Sequence, residues 1–269
     1  MHGVVEIVGM LATGDSYKNE WFSILPSSID SNPQSLLSFR NIYLRKVFGD
    51  HAQYEVDAGA LDGEPVVGSA GLPSPGWVDG VKIKAATTLG NIKVVAGSLG
   101  DYKNPNAFTR NFEGNFIEVE LSRKIFNELV LSSSYRYLDQ ENSAIFGIKY
   151  NLKILGDKVI KLFGKALYSF TEDYVNYDLG LEIDILKTIL NKFEKRLELK
   201  VYFSSISEKS LEAQRTPLFF TYGPRATFQL SGEIVPEKVN WVVRSSFGEN
   251  NTSRYDVGVQ MKFGYKKKQ

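Results

Sequence analysis

Along most of the chain, apolar and polar residues alternate one for one. The clearest run is Tyr174 to Leu186. There Val175, Tyr177, Leu179, Leu181, Ile183 and Ile185 share one phase, and Asn176, Asp178, Gly180, Glu182 and Asp184 share the other. A helix would mix the two sets on every face, whereas a strand sends successive side chains to opposite faces, so the run predicts a two-faced strand. The pattern recurs with Tyr54, Val56 and Ala58 against Glu55 and Asp57, with Val81, Ile83 and Ala85 against Lys82 and Lys84, and with Ile117, Val119 and Leu121 against Glu118 and Glu120. It recurs again with Phe146, Ile148 and Tyr150 against Gly147, Lys149 and Asn151, with Leu197, Leu199, Val201 and Phe203 against Glu198, Lys200 and Tyr202, and with Tyr255, Val257, Val259, Met261 and Phe263 against Asp256, Gly258, Gln260 and Lys262. Strands are predicted at 3–13, 36–48, 51–61, 78–89, 91–99, 112–124, 127–138, 143–153, 158–171, 174–187, 194–206, 217–232, 237–248 and 254–265.

These runs exceed the roughly five or six residues usual in soluble sheets and match the roughly nine to eleven that a tilted membrane-crossing strand needs. The connections have a rhythm. Long ones follow the first, third, fifth and eleventh strands, at 14–35, 62–77, 100–111 and 207–216, and short ones follow the even strands. Short turns on one side and longer loops on the other, with an even strand number, imply an all-β fold: a transmembrane antiparallel up-and-down β-barrel of about fourteen strands, with twelve to sixteen compatible with the pattern. Residues 1–269 then form one domain, and both termini lie on the short-turn side.

A soluble antiparallel sheet alternates too. Three features favour the membrane. The strands are long, and none is apolar on both faces. Gly59, Gly147, Gly164, Gly180 and Gly258 are assigned to the polar face, where a lumen tolerates them. Aromatic residues gather toward strand ends at Phe48, Tyr135, Tyr137, Tyr168, Phe170, Tyr174, Phe203, Phe247, Tyr255, Phe263 and Tyr265, as in interfacial girdles.

Composition agrees. The 32 Lys and Arg balance 31 Asp and Glu, which argues against a nucleic-acid footprint, and there is no cysteine. No stretch is long and apolar enough for a transmembrane helix. The N-terminus lacks a basic n-region and reads at once as a strand, so the chain is read as a form with any leader removed.

The last strand is the most specific segment. Asp256, Gly258, Met261 and Phe263 resemble the C-terminal assembly signal of outer-membrane barrels, a polar residue, a glycine, a large apolar residue and an aromatic, although here Gly264 to Gln269 continue beyond it. By size and strand number the whole chain resembles monomeric outer-membrane porins of about fourteen strands, the outer membrane protein G-like architecture. A second resemblance, to alginate-export-like barrels, rests on Ala12–Asp15, Phe22–Pro26 and Gly76–Gly80. Mitochondrial porins share a similar terminal signal, but their short connections on both sides do not suit the long loops here. The porin resemblance implies a bacterial outer-membrane location with both termini periplasmic. It also implies a lipid bilayer and the barrel-assembly machinery as partners, with small polar solutes passing through and no cofactor.

If the apolar faces meet lipid, the opposite faces line a lumen. The candidate pore-lining residues are Glu55, Asp57, Lys82, Lys84, Glu118, Glu120, Arg136, Lys149, Lys161, Lys165, Asp178, Glu182, Asp184, Lys200, Arg225, Arg244 and Lys262, joined by Lys93, Lys153 and Glu198. Basic residues outnumber acidic ones. Strands seven to nine and twelve to fourteen read as basic sectors and strand ten as an acidic one. Such a lumen suits passive diffusion of ions and small polar solutes with a mild anion preference, and it also suits permeation by saccharides. The same charges could simply neutralise one another in the wall. The loop at 100–111, with Asp101, Lys103 and Arg110, could fold inward, and the one at 62–77, with Pro65, Pro73 and Pro75, reads as stiff. A structural or partner-binding barrel with a plugged lumen therefore stands as the alternative, and a soluble ligand-binding barrel is the remaining one.

Catalysis finds little support. Barrel hydrolases need a histidine beside a nucleophile, and only His2 and His51 exist, one at the terminus and one in a short turn. No Cys/His cluster, calcium loop or phosphate-binding motif is present, so neither catalytic residues nor metal ligands are expected.

Overall fold

A computed structural model describes residues 2–12, 34–62, 77–99, 113–153, 159–188, 196–210, 222–235, 239–249 and 253–261. Fourteen strands make up nearly all of it. They are β1 (His2–Ala12), β2 (Gln34–Phe48), β3 (Tyr54–Asp62), β4 (Trp77–Thr87), β5 (Gly90–Leu99), β6 (Phe116–Lys124) and β7 (Leu129–Leu138). Then come β8 (Glu141–Lys153), β9 (Val159–Ser169), β10 (Tyr174–Asp184), β11 (Leu197–Ile206), β12 (Gly223–Val235), β13 (Val239–Gly248) and β14 (Ser253–Met261). They form one sheet in chain order, every neighbouring pair antiparallel. Among the described residues no ladder joins β14 to β1.

Each predicted run became a strand, with shifted ends. Residues 50–52 coil into a 3₁₀ turn after Gly49, whose φ of 83° opens the turn, so β3 starts at Tyr54. A helical turn, α1 (Ile185–Thr188), stops β10 at Asp184. The ends of β1 and β14 lie with the connections that follow even strands, as an even up-and-down sheet requires. The opposite end is uneven: β7 and β8 join through only Asp139 and Gln140, whose φ values of 46° and 74° belong to a tight hairpin turn.

The two faces of the sheet differ in the reverse of the usual sense. Leu44, Val81, Ile83, Ile117, Val119, Phe146, Ile148, Leu179, Phe203 and Phe228 are exposed, and Val257 on β14 is 76% exposed. Asp57, Lys82, Lys93, Glu118, Glu120, Arg136, Lys165, Asp178 and Arg225 are buried. Water-soluble proteins almost never bury so many charges while leaving their large apolar side chains outside. A barrel in lipid does both.

Two features position the inner face. Gly59, Gly80 and Gly97 stand directly opposite one another across β3, β4 and β5. A Cβ on Gly80 would come within 2.0 Å of the Ala96 carbonyl oxygen and 2.7 Å of the Gly97 Cα, so the backbones approach there as only glycine permits. Glycine rows of this kind let a sheet bend sharply toward closure. Around the row, Val78, Val95, Leu99, Phe116 and Leu138 form a buried apolar cluster on the inner face. The long-loop half of β5, with Val95, Gly97 and Leu99 inward and Val94 and Ala96 outward, is therefore apolar on both faces, which corrects the expectation that no strand would be.

Two further assignments change. Gly164 lies opposite Ile148 and Leu179, on the exposed apolar face, because it alternates with the inward Lys165. Tyr174, grouped by sequence with the interfacial aromatics, turns inward and donates its hydroxyl to Glu141. Other aromatics form outer belts. Phe48 stacks on Tyr54 with ring centroids 5.3 Å apart near the short turns, while Tyr168 meets Phe170 and Phe247 meets Tyr255 near the other end.

Candidate functional site

The buried face is a wall of charge organised by register. Strand neighbours place a cation opposite an anion, and the pairs close directly. Asp57 lies between Arg45 on β2 and Lys82 on β4. It accepts from Arg45 Nε at 2.7 Å and pairs with Lys82 Nζ at 3.1 Å. One row nearer the short turns, Glu55 takes Lys84 Nζ at 2.9 Å and Arg45 Nη2 at 3.3 Å. Across β5, β6 and β7, Lys93 bonds Glu120 at 2.6 Å and Glu118 at 3.4 Å, while Arg136 donates through Nε to Glu118 at 2.6 Å. The Arg136 and Glu118 side chains are each 1% exposed.

A second cluster centres on Glu182 of β10. Lys161 of β9 and Lys200 of β11 flank it in register, Lys161 in direct contact and Lys200 at 3.1 Å. Arg196 adds a third cation, 2.6 Å from Glu198 and 3.5 Å from Glu182. Further round, hydrogen bonds to neutral groups appear. Arg225 donates to Ser204 at 3.3 Å, Arg244 to Gln229 at 2.7 and 3.1 Å, and Thr227 meets Ser246 at 3.0 Å.

The pairs also follow from energetics. A buried charge left without a partner is strongly unfavourable, so a face carrying this many ions folds only if register brings opposite signs together. At the rim, water weakens the same interaction. Glu128 in the turn 125–128 sits 2.8 Å from Lys153, whose hydrogen bond holds the carboxyl below its ordinary range.

The loop stems lean on this face as well. Asn176, buried on β10, donates to Ser210 Oγ at 3.0 Å and accepts from the Ser207 amide at 2.8 Å. On the opposite phase of β5, Ser98 Oγ accepts from the amides of Glu113 and Gly114.

The sequence-expected residues therefore fall as follows. Glu55, Asp57, Lys82, Lys84, Lys93, Glu118, Glu120, Arg136, Lys161, Glu182, Glu198 and Lys200 come together in the ion-pair clusters. Lys165 and Asp178 stand opposite each other in register, Arg225 and Arg244 face polar neighbours, Lys149 lies opposite Phe163, and Asp184 ends β10 opposite Glu198. Asp256 lies opposite Arg244 in register, with Gly258 and Met261 further along β14. Lys262, Phe263 and Tyr265, the loop residues Asp101, Lys103 and Arg110, and Pro65, Pro73 and Pro75 lie outside the described residues.

Arg45 and Arg196 carry no sequence expectation, and the sequence places Asn176 on the polar phase of β10 with no role. Arg45 is adjacent to Lys46, and two neighbouring charges hide the phase of β2. Counting back three pairs from Phe48–Tyr54 would have placed Arg45 opposite Asp57.

Among the described residues no group of His, Cys, Asp and Glu converges as a metal site. No protein-family model matches the sequence, and neither does any curated protein sequence. Solved structures do share the architecture. The low-pH structure of Pseudomonas putida OprB superposes with a TM-score of 0.55 at 12% identity, over 86% of this chain and 69% of that one. Acinetobacter baumannii OccAB2 gives 0.53 at 12%, over 98% and 78%, and Pseudomonas aeruginosa OccK10 (OpdN) gives 0.51 at 11%, over 99% and 90%. With its inward charges, outward apolar belt and sequential antiparallel strands, the chain has the up-and-down β-barrel fold of outer-membrane porins.

Proposed function

We propose that the chain is an outer-membrane channel through which ions and small polar solutes, saccharides among them, diffuse passively along a charged lumen. What carries the proposal is the inverted distribution of side chains. Apolar residues on the exposed face suit lipid, and the ion-paired residues on the other face suit a polar interior. The excess of basic over acidic residues on that face gives the lumen a mild anion preference. Short turns and both strand termini then face the periplasm. The purified protein in planar bilayers should give stepwise conductance, with a reversal potential in a salt gradient on the anion-selective side. Clear cation selectivity removes the selectivity claim, and absence of any conductance from inserted protein removes the channel.

One observation favours a second reading, a barrel closed by its own interior. Phe116, Val78 and Val95 on the inner face are 0% exposed, and buried apolar surface there calls for a covering layer across the lumen. A protein that inserts, conducts nothing and copurifies with a partner would favour this reading.

A further inference from the structure

The outer face is not uniformly convex. Along β9, Gly164 and Ala166 leave a shallow apolar groove of about 620 Å³. Phe146 and Ile148 of β8 wall one side, and Tyr177 and Leu179 of β10 wall the other. The floor is low because of residue size: a Cβ built on Gly164 would already reach 3.0 Å from Leu179 and 3.2 Å from Ile148. The end of the groove nearest the 125–128 turn is lined by Arg123, which has the phase of the outward residues Val119 and Leu121. Arg123 is exposed, and among the described residues no carboxylate pairs with it.

An arginine on a lipid-facing surface carries a cost that falls toward the interface, and it is kept most readily where something compensates the charge. An apolar trough closed at one end by a guanidinium has the chemistry of one molecule, an anionic phospholipid. Its acyl chain fills the trough, and its phosphate accepts from Arg123 at headgroup depth. We infer that the groove between β8 and β10 is a binding site for a single anionic phospholipid, with Arg123 as the headgroup contact. This rests on the membrane-barrel reading above.

The test is native mass spectrometry of the detergent-purified barrel after exchange into micelles containing phosphatidylglycerol or phosphatidylcholine. The wild-type protein should retain one phosphatidylglycerol in preference to phosphatidylcholine. Arg123→Gln should lower that preference about five-fold, the effect of one basic side chain on anionic lipid. Ala166→Leu, an apolar change on a lipid-facing position, should lower retention of both lipids. Equal retention by all three proteins would overturn the inference, as would a dimer peak that Ala166→Leu abolishes, since a second copy would then occupy the groove. A protein that stays in solution without detergent would instead defeat the membrane reading itself, which keeps the two failures distinct.

Discussion

Leu179 tests which solvent the apolar face meets. It sits five residues from each end of β10 and is 58% exposed. At a rise of roughly 3.3 Å per residue and a tilt near 45°, that puts it about 12 Å from either rim, the middle of an apolar band about 25 Å tall. In water, replacing such an exposed side chain by arginine changes stability by no more than about 0.5 kcal/mol. At the bilayer midplane the same change costs about 2–4 kcal/mol, falling to about 0–1 kcal/mol near the interface. Leu179→Arg should therefore be strongly destabilising. Val175→Arg, on the same face of the same strand but one residue from its end, should be nearly silent, although Val175 is also exposed, at 53%. Urea unfolding of both variants folded into lipid vesicles measures the difference. Two near-silent variants would refute the argument, because exposure alone, and not depth in a hydrocarbon layer, would then govern the face.

Three further outcomes follow from the inner face and the rim. Glu118→Ala removes the buried carboxylate that Arg136 bonds directly and should cost about 3–5 kcal/mol in the same assay, with the Glu118→Ala/Arg136→Ala double variant costing less than the sum of the singles; additive costs would contradict the pairing. Gly80→Ala must push apart the β4 and β5 backbones, so it should lower the fraction refolded, read as the folded band in cold electrophoresis, by the equivalent of about 1–3 kcal/mol, whereas unchanged folding would mean that the row tolerates a Cβ. Because Lys153 lowers the Glu128 pKa, that pair stabilises the fold above the usual carboxylate range and ceases to as pH falls through the lowered value. Lys153→Met should move the Glu128 NMR titration upward, and no movement would show that the contact does not persist in solution.

Particular residues show how far the sequence carried and where it stopped. A two-residue period held over nine or more residues has one strong solution, so all fourteen strands were legible, along with the phase of Asp57, Glu118 and Asp178. The strand ends were less so, since the 3₁₀ turn at 50–52 and the helical turn at 185–188 depend on local backbone geometry that alternation does not encode. Gly164 was misplaced because its residue type was weighed above its phase; counting one step from Lys165 puts it outside. The ion partners needed register as well as phase, as Arg45 shows. The inner cluster around Phe116 was hidden for another reason. It draws one or two residues from each of four strands, and only their pairing in the sheet brings them together.

The central claim is that the apolar phase meets lipid and the charged phase meets the interior. The chain has no cysteine, so single cysteines at successive positions from Val175 to Leu181 each carry one spin label. In lipid vesicles, collision with oxygen, which concentrates in hydrocarbon, should be high at 175, 177, 179 and 181 and low at 176, 178 and 180. Odd-numbered labels that prefer a water-soluble relaxation agent, or show no two-residue period, would contradict the account.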